Sequence, residues 1–446
     1  MNEHASQHAG PALRVFIVSP EFPPYMTEGG LGTHVSELAQ GLTRRGCLVT
    51  VLAPTLGPSA SHRQGGITVQ LISLAGLAGD PSLANFIREV SNYAAAYGRR
   101  LVAEQDALPD IIHCHDWTSI AAACELSEVF GRPLVATAHL LQDPLYTLWG
   151  AAMQPEIVAQ ERSLCRDADA VITVSRSMRD VIRQTYGVAD DRIYVVYNGL
   201  NAGQFVTPRA SREACGELRR ELAAPAEKIV LFAGRLVPQK GIGALLASAA
   251  QVAAARPHVR YVIAGGNGYF DPNRSPEQAQ AQTRQLLQTH LPADSPLWGR
   301  IKVLGMIPRA QVAMLYQVAD LAVVPSVYEP FGYAAVEPMA AGLPVVATDV
   351  GGLSEIITHD ETGWLVPLRA NELGLHEVDV DRLTEAQIVL LDDEARARRL
   401  GAAGRQHVLA NFNLDQMVRS TLQVYRRVID KFDSDRDAER LEAMGV

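Results

Sequence analysis

Ile229-Val230-Leu231-Phe232-Ala233-Gly234-Arg235-Leu236-Val237-Pro238-Gln239-Lys240-Gly241 is a short apolar run, a loop carrying two cations, and the entry to a segment rich in small residues. Four large apolar residues without alternation suit a strand covered by helices on both faces, as in a parallel sheet. Arg235 and Lys240 stand at the carboxyl end of that strand with a helix N-terminus beside them. Parallel sheets bind ligands at that end, and two cations next to oriented backbone N–H groups make a good diphosphate site. The competing reading is an ordinary strand-to-helix turn with surface charges.

The same grammar returns at Ser326-Val327-Tyr328-Glu329-Pro330-Phe331-Gly332-Tyr333-Ala334-Ala335-Val336-Glu337. Glu329 falls at a strand's end, placed to accept hydrogen bonds from sugar hydroxyls, and Gly332 allows the backbone to approach a ligand closely. Glu337 lies further along the helix, within reach of a ribose diol. Pro338 removes a backbone donor there, so the helix either starts late or is kinked. Apolar runs at 261–263, 301–304, 321–324, 345–347 and 364–366 read as the companion strands, with helical segments between them.

Upstream, Leu13–Val18 gives another β-branched strand. From Thr33, Val35, Leu38, Ala39 and Leu42 fall at helical spacing, and Gly46 sits at the C-cap position. Runs at 49–52, 111–113, 134–137, 170–174 and 193–196, with helices at 83–102 and 119–129, complete a first α/β set. Strands alternating with helices in this way imply doubly wound parallel sheets. The fold class is α/β, two Rossmann-like domains with a ligand cleft between them. The expected organisation is a polar tail at 1–12, an acceptor-binding domain at 13–205, a nucleotide-sugar-binding domain at 206–412, a helix at 413–432 packing back towards the first domain, and a charged tail at 433–446.

Composition narrows the function. The chain has 446 residues, 48% hydrophobic and 20% charged, with a net charge of -9. That length gives two or three domains with ample core, and an acidic chain lacks the basic footprint of sequence-independent nucleic-acid binding. Cys47, Cys114, Cys124, Cys165 and Cys215 show no C-x-x-C pair, so they read as reduced thiols rather than a disulfide framework or zinc ribbon. With no secretory signal and no membrane-spanning run, a cytoplasmic protein without stable membrane insertion is expected. His113, His115 and Asp116 invite a metal reading, but Asp116 points away from the face the histidines share and no further ligand pattern follows. Asp379-Val380-Asp381 and Asp433-Ser434-Asp435 read as solvated caps. No metal site is expected.

Taken with Gly29-Gly30-Leu31-Gly32, His113-Cys114-His115-Asp116-Trp117, Glu161-Arg162 through Val174-Ser175, and Asn198-Gly199, these motifs resemble the GT-B-fold, retaining, nucleotide-sugar-dependent glycosyltransferases of group 1. That group includes glycogen and starch synthases and sucrose-phosphate synthase, and the resemblance spans roughly residues 14–430. It implies that Arg235 and Lys240 neutralise the leaving diphosphate, that Glu337 binds the ribose, and that Glu329 with the amides of Phe331, Gly332 and Tyr333 holds the donor sugar. It implies further that His139 lies beside the transferred sugar, that Gly29 and Gly30 approach the diphosphate from the opposite wall, and that Met306 belongs to the base-contacting edge. Gly266 and Asn267, in a glycine-rich strand exit, are expected to approach the nucleotide, and His115, Asp116 and Trp117 to line the acceptor pocket.

The family's course is retention. UDP-sugar is the donor expected first, with ADP- and GDP-sugars as alternatives, and the acceptor is a soluble sugar or small metabolite. The nucleotide sugar is a co-substrate and no cofactor is expected. Bacterial glycogen synthases carry a Lys shortly before the paired glycines where this chain has Glu28. Glucan elongation is therefore the second reading, and a catalytically silent nucleotide-sugar-binding subunit is the reading from another class. The segment 269–297 reads as a surface excursion.

Overall fold

The computed structural model describes residues 12–26, 30–55, 57–74, 82–104, 108–148, 150–205, 211–266, 275–370 and 376–444. The first half holds β1 (Arg14–Val18), α1 (Gly30–Arg44), β2 (Leu48–Thr55), β3 (Ala60–Gln64), β4 (Ile67–Ser73), α2 (Leu83–Ala103), β5 (Ile111–His115), α3 (Ile120–Phe130), β6 (Leu134–Ala138), α4 (Gln142–Leu148), α5 (Pro155–Asp167), β7 (Ala170–Thr173), α6 (Arg176–Tyr186) and β8 (Ile193–Val195). The second half continues with α7 (Ser211–Leu222), β9 (Lys228–Ala233), α8 (Ile242–Ala255), β10 (Val259–Ala264), α9 (Pro276–Leu287), β11 (Ile301–Gly305), α10 (Arg309–Val318), β12 (Leu321–Val324), α11 (Tyr333–Ala341), β13 (Val345–Thr348), α12 (Leu353–Ile356) and β14 (Trp364–Val366). It ends with β15 (Leu368–Ala370), β16 (His376–Val378), α13 (Val380–Asp392), α14 (Glu394–Asn411) and α15 (Leu414–Ala443).

Among the described residues, eight strands form one sheet in the order β3-β4-β2-β1-β5-β6-β7-β8 and six form a second in the order β11-β10-β9-β12-β13-β14. Every pairing in these sheets is parallel except β3 against β4. In each sheet the winding reverses at the first strand, between β1 and β5 and between β9 and β12. That reversal leaves a crevice at the carboxyl ends, where the crossover connections diverge to opposite faces. The inner strands β5, β6, β12 and β13 are buried throughout, and their sequences are mostly apolar, with His113, His115, Thr137 and Thr348 as buried polar exceptions.

Four strands go unread in the sequence: β4 is buried inside the first sheet, its apolar residues broken by Thr68 and Gln70, and the other three are short or polar. Ala60–Gln64 is polar and largely exposed and forms an antiparallel rim on β4; β15 and β16 are three-residue strands paired only with each other. Neither has an apolar run to announce it. Helix α1 begins at Gly30 rather than Thr33, because Glu21 Oε2 accepts from the Gly32 N–H at 3.1 Å and caps its first turn. Helix α11 does not start late: Pro338 lies inside it. Helix α15 carries on through the charged stretch expected to be a tail, as far as Ala443; good helix formers and an Arg440–Asp437 pair at 3.8 Å support it.

The halves are tied by specific contacts. Met417, Val418, Leu422 and Tyr425 of α15 share a core with β1, α1 and β2. Glu355 of α12 accepts from the Arg176 and Ser177 amides at 3.0 and 2.8 Å, capping α6, and from the Tyr197 hydroxyl at 2.7 Å. Leu200 N–H donates to Phe412 O at 2.8 Å where the chain crosses between halves.

Candidate active site

The loops leaving β1, β5 and β6 face those leaving β9 and β12 across a cavity of about 570 Å³, within the range of small-ligand sites. The first half contributes Glu21, Gly30, Asp116, Trp117, His139 and Asn198 to its walls; the second contributes Arg235, Lys240, Met306, Arg309, Glu329, Phe331, Gly332, Tyr333 and Glu337.

On the second wall, Lys240 Nζ donates to Glu329 Oε2 at 2.5 Å, and the Ser326 hydroxyl donates to the same oxygen at 3.1 Å. The pair is well covered, with 17% of the Lys240 side chain and 8% of the Glu329 side chain exposed. Two expected roles, diphosphate neutralisation and sugar binding, thus rest on directly bonded groups. Arg235 is exposed, lines the same cavity, and has no ion-pair partner among the described residues. Its loop is braced by the Leu236 N–H donating to Gly266 O at 2.8 Å. Below them α11 starts at Tyr333, with Gly332 as its N-cap at φ 128°. A Cβ on Gly332 would lie 2.9 Å from Leu353 Cδ2. The first-turn amides that a helix leaves unbonded therefore lie at the cavity wall.

Glu337, one turn on, is held by Arg309 Nη2 at 2.7 Å and by the Tyr316 hydroxyl at 3.0 Å. Arg309 also reaches across to Glu37 of α1, 3.8 Å away. Burial pushes the Glu37 carboxyl up to about 7; Arg309 opposes the shift and Glu337 adds to it. A folded-state value above the ordinary 4.5 means that the native state holds a proton which the unfolded chain has already lost. The stabilisation is complete below about pH 4.5 and lost as pH rises through 7. Glu37→Gln is expected to gain stability over wild type at pH 8, by about 3 kcal/mol at most, with the gap largely gone at pH 5. Denaturant melts at both pH values measure this, and an equal gap at both would contradict it.

On the first wall, Asp116 adopts φ 59° at the exit of β5, and its Oδ1 accepts from the His139 and Leu140 amides at 2.8 and 3.3 Å. Burial raises the Asp116 carboxyl to about 7 despite those two donors. Its side chain thus fixes the turn carrying His139. Asp116→Asn keeps an acceptor on a side chain of the same shape. Asp116→Ala is expected to lose about 2 kcal/mol in chemical denaturation and Asp116→Asn less than about half of that; equal losses would exclude the turn-holding role. His139 Nε2 lies 3.0 Å from His115 Nδ1. His113, one residue pair earlier, is bonded at 2.6 Å to both the Tyr425 hydroxyl and Thr137 Oγ1.

Most of the residues singled out in the sequence meet at this cavity: Arg235, Lys240, Glu329, His139, Gly30, Met306, Phe331, Gly332, Tyr333, Glu337, Asp116 and Trp117. Two do not line it. His115 is fully buried behind His139, because α1 places His34 over the end of β5. Gly266 stands one residue behind the wall and packs towards Met306, whose Cγ a Cβ would meet at 3.0 Å. Gly29 and Asn267 lie outside the described residues. Glu161 is buried, accepting from the Gln142 and Asp143 amides and the Tyr186 hydroxyl, so this motif residue builds the wall rather than the chemistry. Sequence reasoning missed Glu37, His34 and Arg309. The signal for the first two was present, as polar residues on the face of α1 that carries Val35 and Leu38.

Residues 28–204 match the Glycosyltransferase Family 4 model and residues 216–407 match Glycosyl transferases group 1. The chain is 33% identical over 427 residues to alpha-maltose-1-phosphate synthase of Mycolicibacterium smegmatis, covering 93% of this chain and 100% of that one. It is 30% identical over 426 residues to glycogen synthase of Mycobacterium tuberculosis, covering 93% and 94%. Sucrose-phosphate synthase from Thermosynechococcus elongatus superposes with a TM-score of 0.73 at 25% identity, over 94% of this chain and 100% of that one. With both domain models matched in order and full-length relatives at this identity, the chain belongs to the glycosyl transferases group 1 family and is a glycosyltransferase.

Proposed function

We propose that this glycosyltransferase moves a sugar from a nucleoside diphosphate sugar to a hydroxyl of a soluble sugar or small metabolite, with retention and without a metal ion or other cofactor. UDP-sugar is the first donor to test, followed by ADP- and GDP-sugars. The observation that carries the reading is Arg235, a cation without a charge partner among the described residues, lining the cavity with the Lys240–Glu329 pair and the amino end of α11. When the bond between the sugar and its phosphate breaks, negative charge grows on the leaving diphosphate. Fixed cations and amides stabilise that charge more in the transition state than in the bound donor. Glu329 holds sugar hydroxyls, His139 bounds the sugar from the opposite wall, and Glu337 takes the ribose. The acceptor oxygen bonds to the anomeric carbon on the face the phosphate leaves, and its proton passes to the departing phosphate oxygen.

Similarity to enzymes named for making maltose 1-phosphate and sucrose phosphate supports a small sugar or sugar-phosphate acceptor. Similarity to glycogen synthase supports glucan elongation as a second reading. Among the described residues no helix is long and apolar enough to cross a membrane. The described cysteines are free, and a cytoplasmic setting is part of the proposal.

The test is release of nucleoside diphosphate from each donor with a panel of monosaccharides, sugar phosphates and a maltooligosaccharide, with chelator present. Release that needs both a donor and an acceptor is expected. Binding of a nucleotide without release under any pairing would favour the silent subunit. Activity lost in chelator and restored by a divalent ion would overturn the metal-free mechanism.

A further inference from the structure

Behind the His139 wall lies a cluster of imidazoles larger than a sugar contact requires. His34 from α1, His115 from the end of β5 and His139 just past β6 each offer a ring nitrogen, and those three atoms lie within 4.8 Å of one another. His115 Nδ1 and His139 Nε2 are 3.0 Å apart. The His34 ring centroid is 4.5 Å from that of His139 and 5.4 Å from that of His115. His115 Nε2 is buried without a hydrogen-bond partner, and the Asn198 side chain stands beside His34. A buried polar atom left unbonded is costly, and three imidazoles this close together call for an explanation.

We propose that His34, His115 and His139 form a binding site for a late first-row divalent metal ion of the zinc class, and that filling it inhibits transfer by drawing His139 out of the sugar pocket. The second half rests on the reading of His139 given above; the first does not. Three imidazoles and no carboxylate select zinc, copper or nickel over magnesium or calcium. Zinc–nitrogen bonds of about 2.0–2.1 Å in a tetrahedron place ligand nitrogens about 3.4 Å apart. The triad's widest edge, at most 4.8 Å, closes to that by side-chain rotation. The ligands stand on three separate elements of a packed domain, which fixes their backbones. The side towards His139 and Asn198 opens on the cavity, leaving a fourth position for water.

The test is calorimetric titration of Zn²⁺ into chelator-treated, dialysed wild type and His34→Gln, with Co²⁺ absorption as a second probe. One equivalent bound by wild type, at least tenfold more weakly by His34→Gln, with a four-coordinate cobalt spectrum seen in wild type alone, is expected. If His34→Gln melts as an unfolded chain, His115→Gln carries the same comparison. No zinc binding by wild type, or equal binding by wild type and whichever variant folds, overturns the site. In the transfer assay zinc is expected to slow wild type and to spare His34→Gln, measured against that variant's own metal-free rate. Zinc bound at the triad without slowing transfer overturns the inhibitory role and counts against His139 in the sugar pocket.

Discussion

Lys240→Ala is expected to slow transfer by two to three orders of magnitude, about 3 kcal/mol of barrier, the loss seen when one preorganised donor is removed from a developing anion. Two effects act in the same direction. The leaving diphosphate loses a fixed cation, and Glu329, whose side chain is 8% exposed, loses the ammonium 2.5 Å away and keeps the Ser326 hydroxyl. A carboxylate left buried without its counter-ion takes up a proton or turns away, and either response misplaces the group expected to hold the sugar. The readout is kcat with saturating donor, alongside thermal melting to show that the fold survives. A rate within about tenfold of wild type, under roughly 1.4 kcal/mol, would remove the charge-stabilisation argument.

Gly241→Ala is expected to be nearly as damaging, although it touches no charged group. Gly241 has φ +65°, and a Cβ there would lie 1.8 Å from Pro325 O. Pro325 opens the loop that leads to Glu329, so the added methyl pushes apart the segments that Lys240 and Glu329 bridge. A misplacement of about 1 Å costs on the order of 100-fold in rate, whereas the left-handed backbone costs an alanine about 1–2 kcal/mol of stability. Gly46→Ala separates the two effects. Gly46 has φ +84° with nothing within 4 Å of its Cβ position, so it suffers the backbone strain and leaves the cleft alone. The expected result is two destabilised proteins of which Gly241→Ala alone is inactive; comparable activity in both would mean that the loops do not need that spacing.

The parts of the molecule legible in the sequence are those governed by local pattern. Continuous apolar runs marked β9 and β12, and shorter apolar stretches marked β5 and β6, because strands buried on both faces need them, and the loops after those strands carry Arg235, Glu329, Asp116 and His139. The edge strand Ala60–Gln64 has no such run, and the charged end of α15 reads as a tail until its i,i+3 pairing is seen. What stayed hidden depends on contacts far apart in the chain. Lys240 and Glu329 are 89 residues apart, and no spacing rule says that they bond to each other. Glu37 and Arg309 come from opposite halves, and only the fold brings that carboxyl under the guanidinium. His115 was read as an acceptor residue because it ends a strand; helix α1 covers it with His34, which turns it from a wall residue into a partner of His139.

The measurement that bears most directly on the cleft as a nucleotide-diphosphate site is calorimetric binding of UDP, ADP, GDP and dTDP to wild type and to Arg235→Ala. The expected result is selective binding of one nucleotide by wild type and its loss in the variant. Arg235 is exposed and has no ion-pair partner among the described residues, so the substitution is expected to leave the fold intact. No binding of any of the four, or the same affinity in both proteins, would contradict the placement of the donor diphosphate at Arg235 and Lys240.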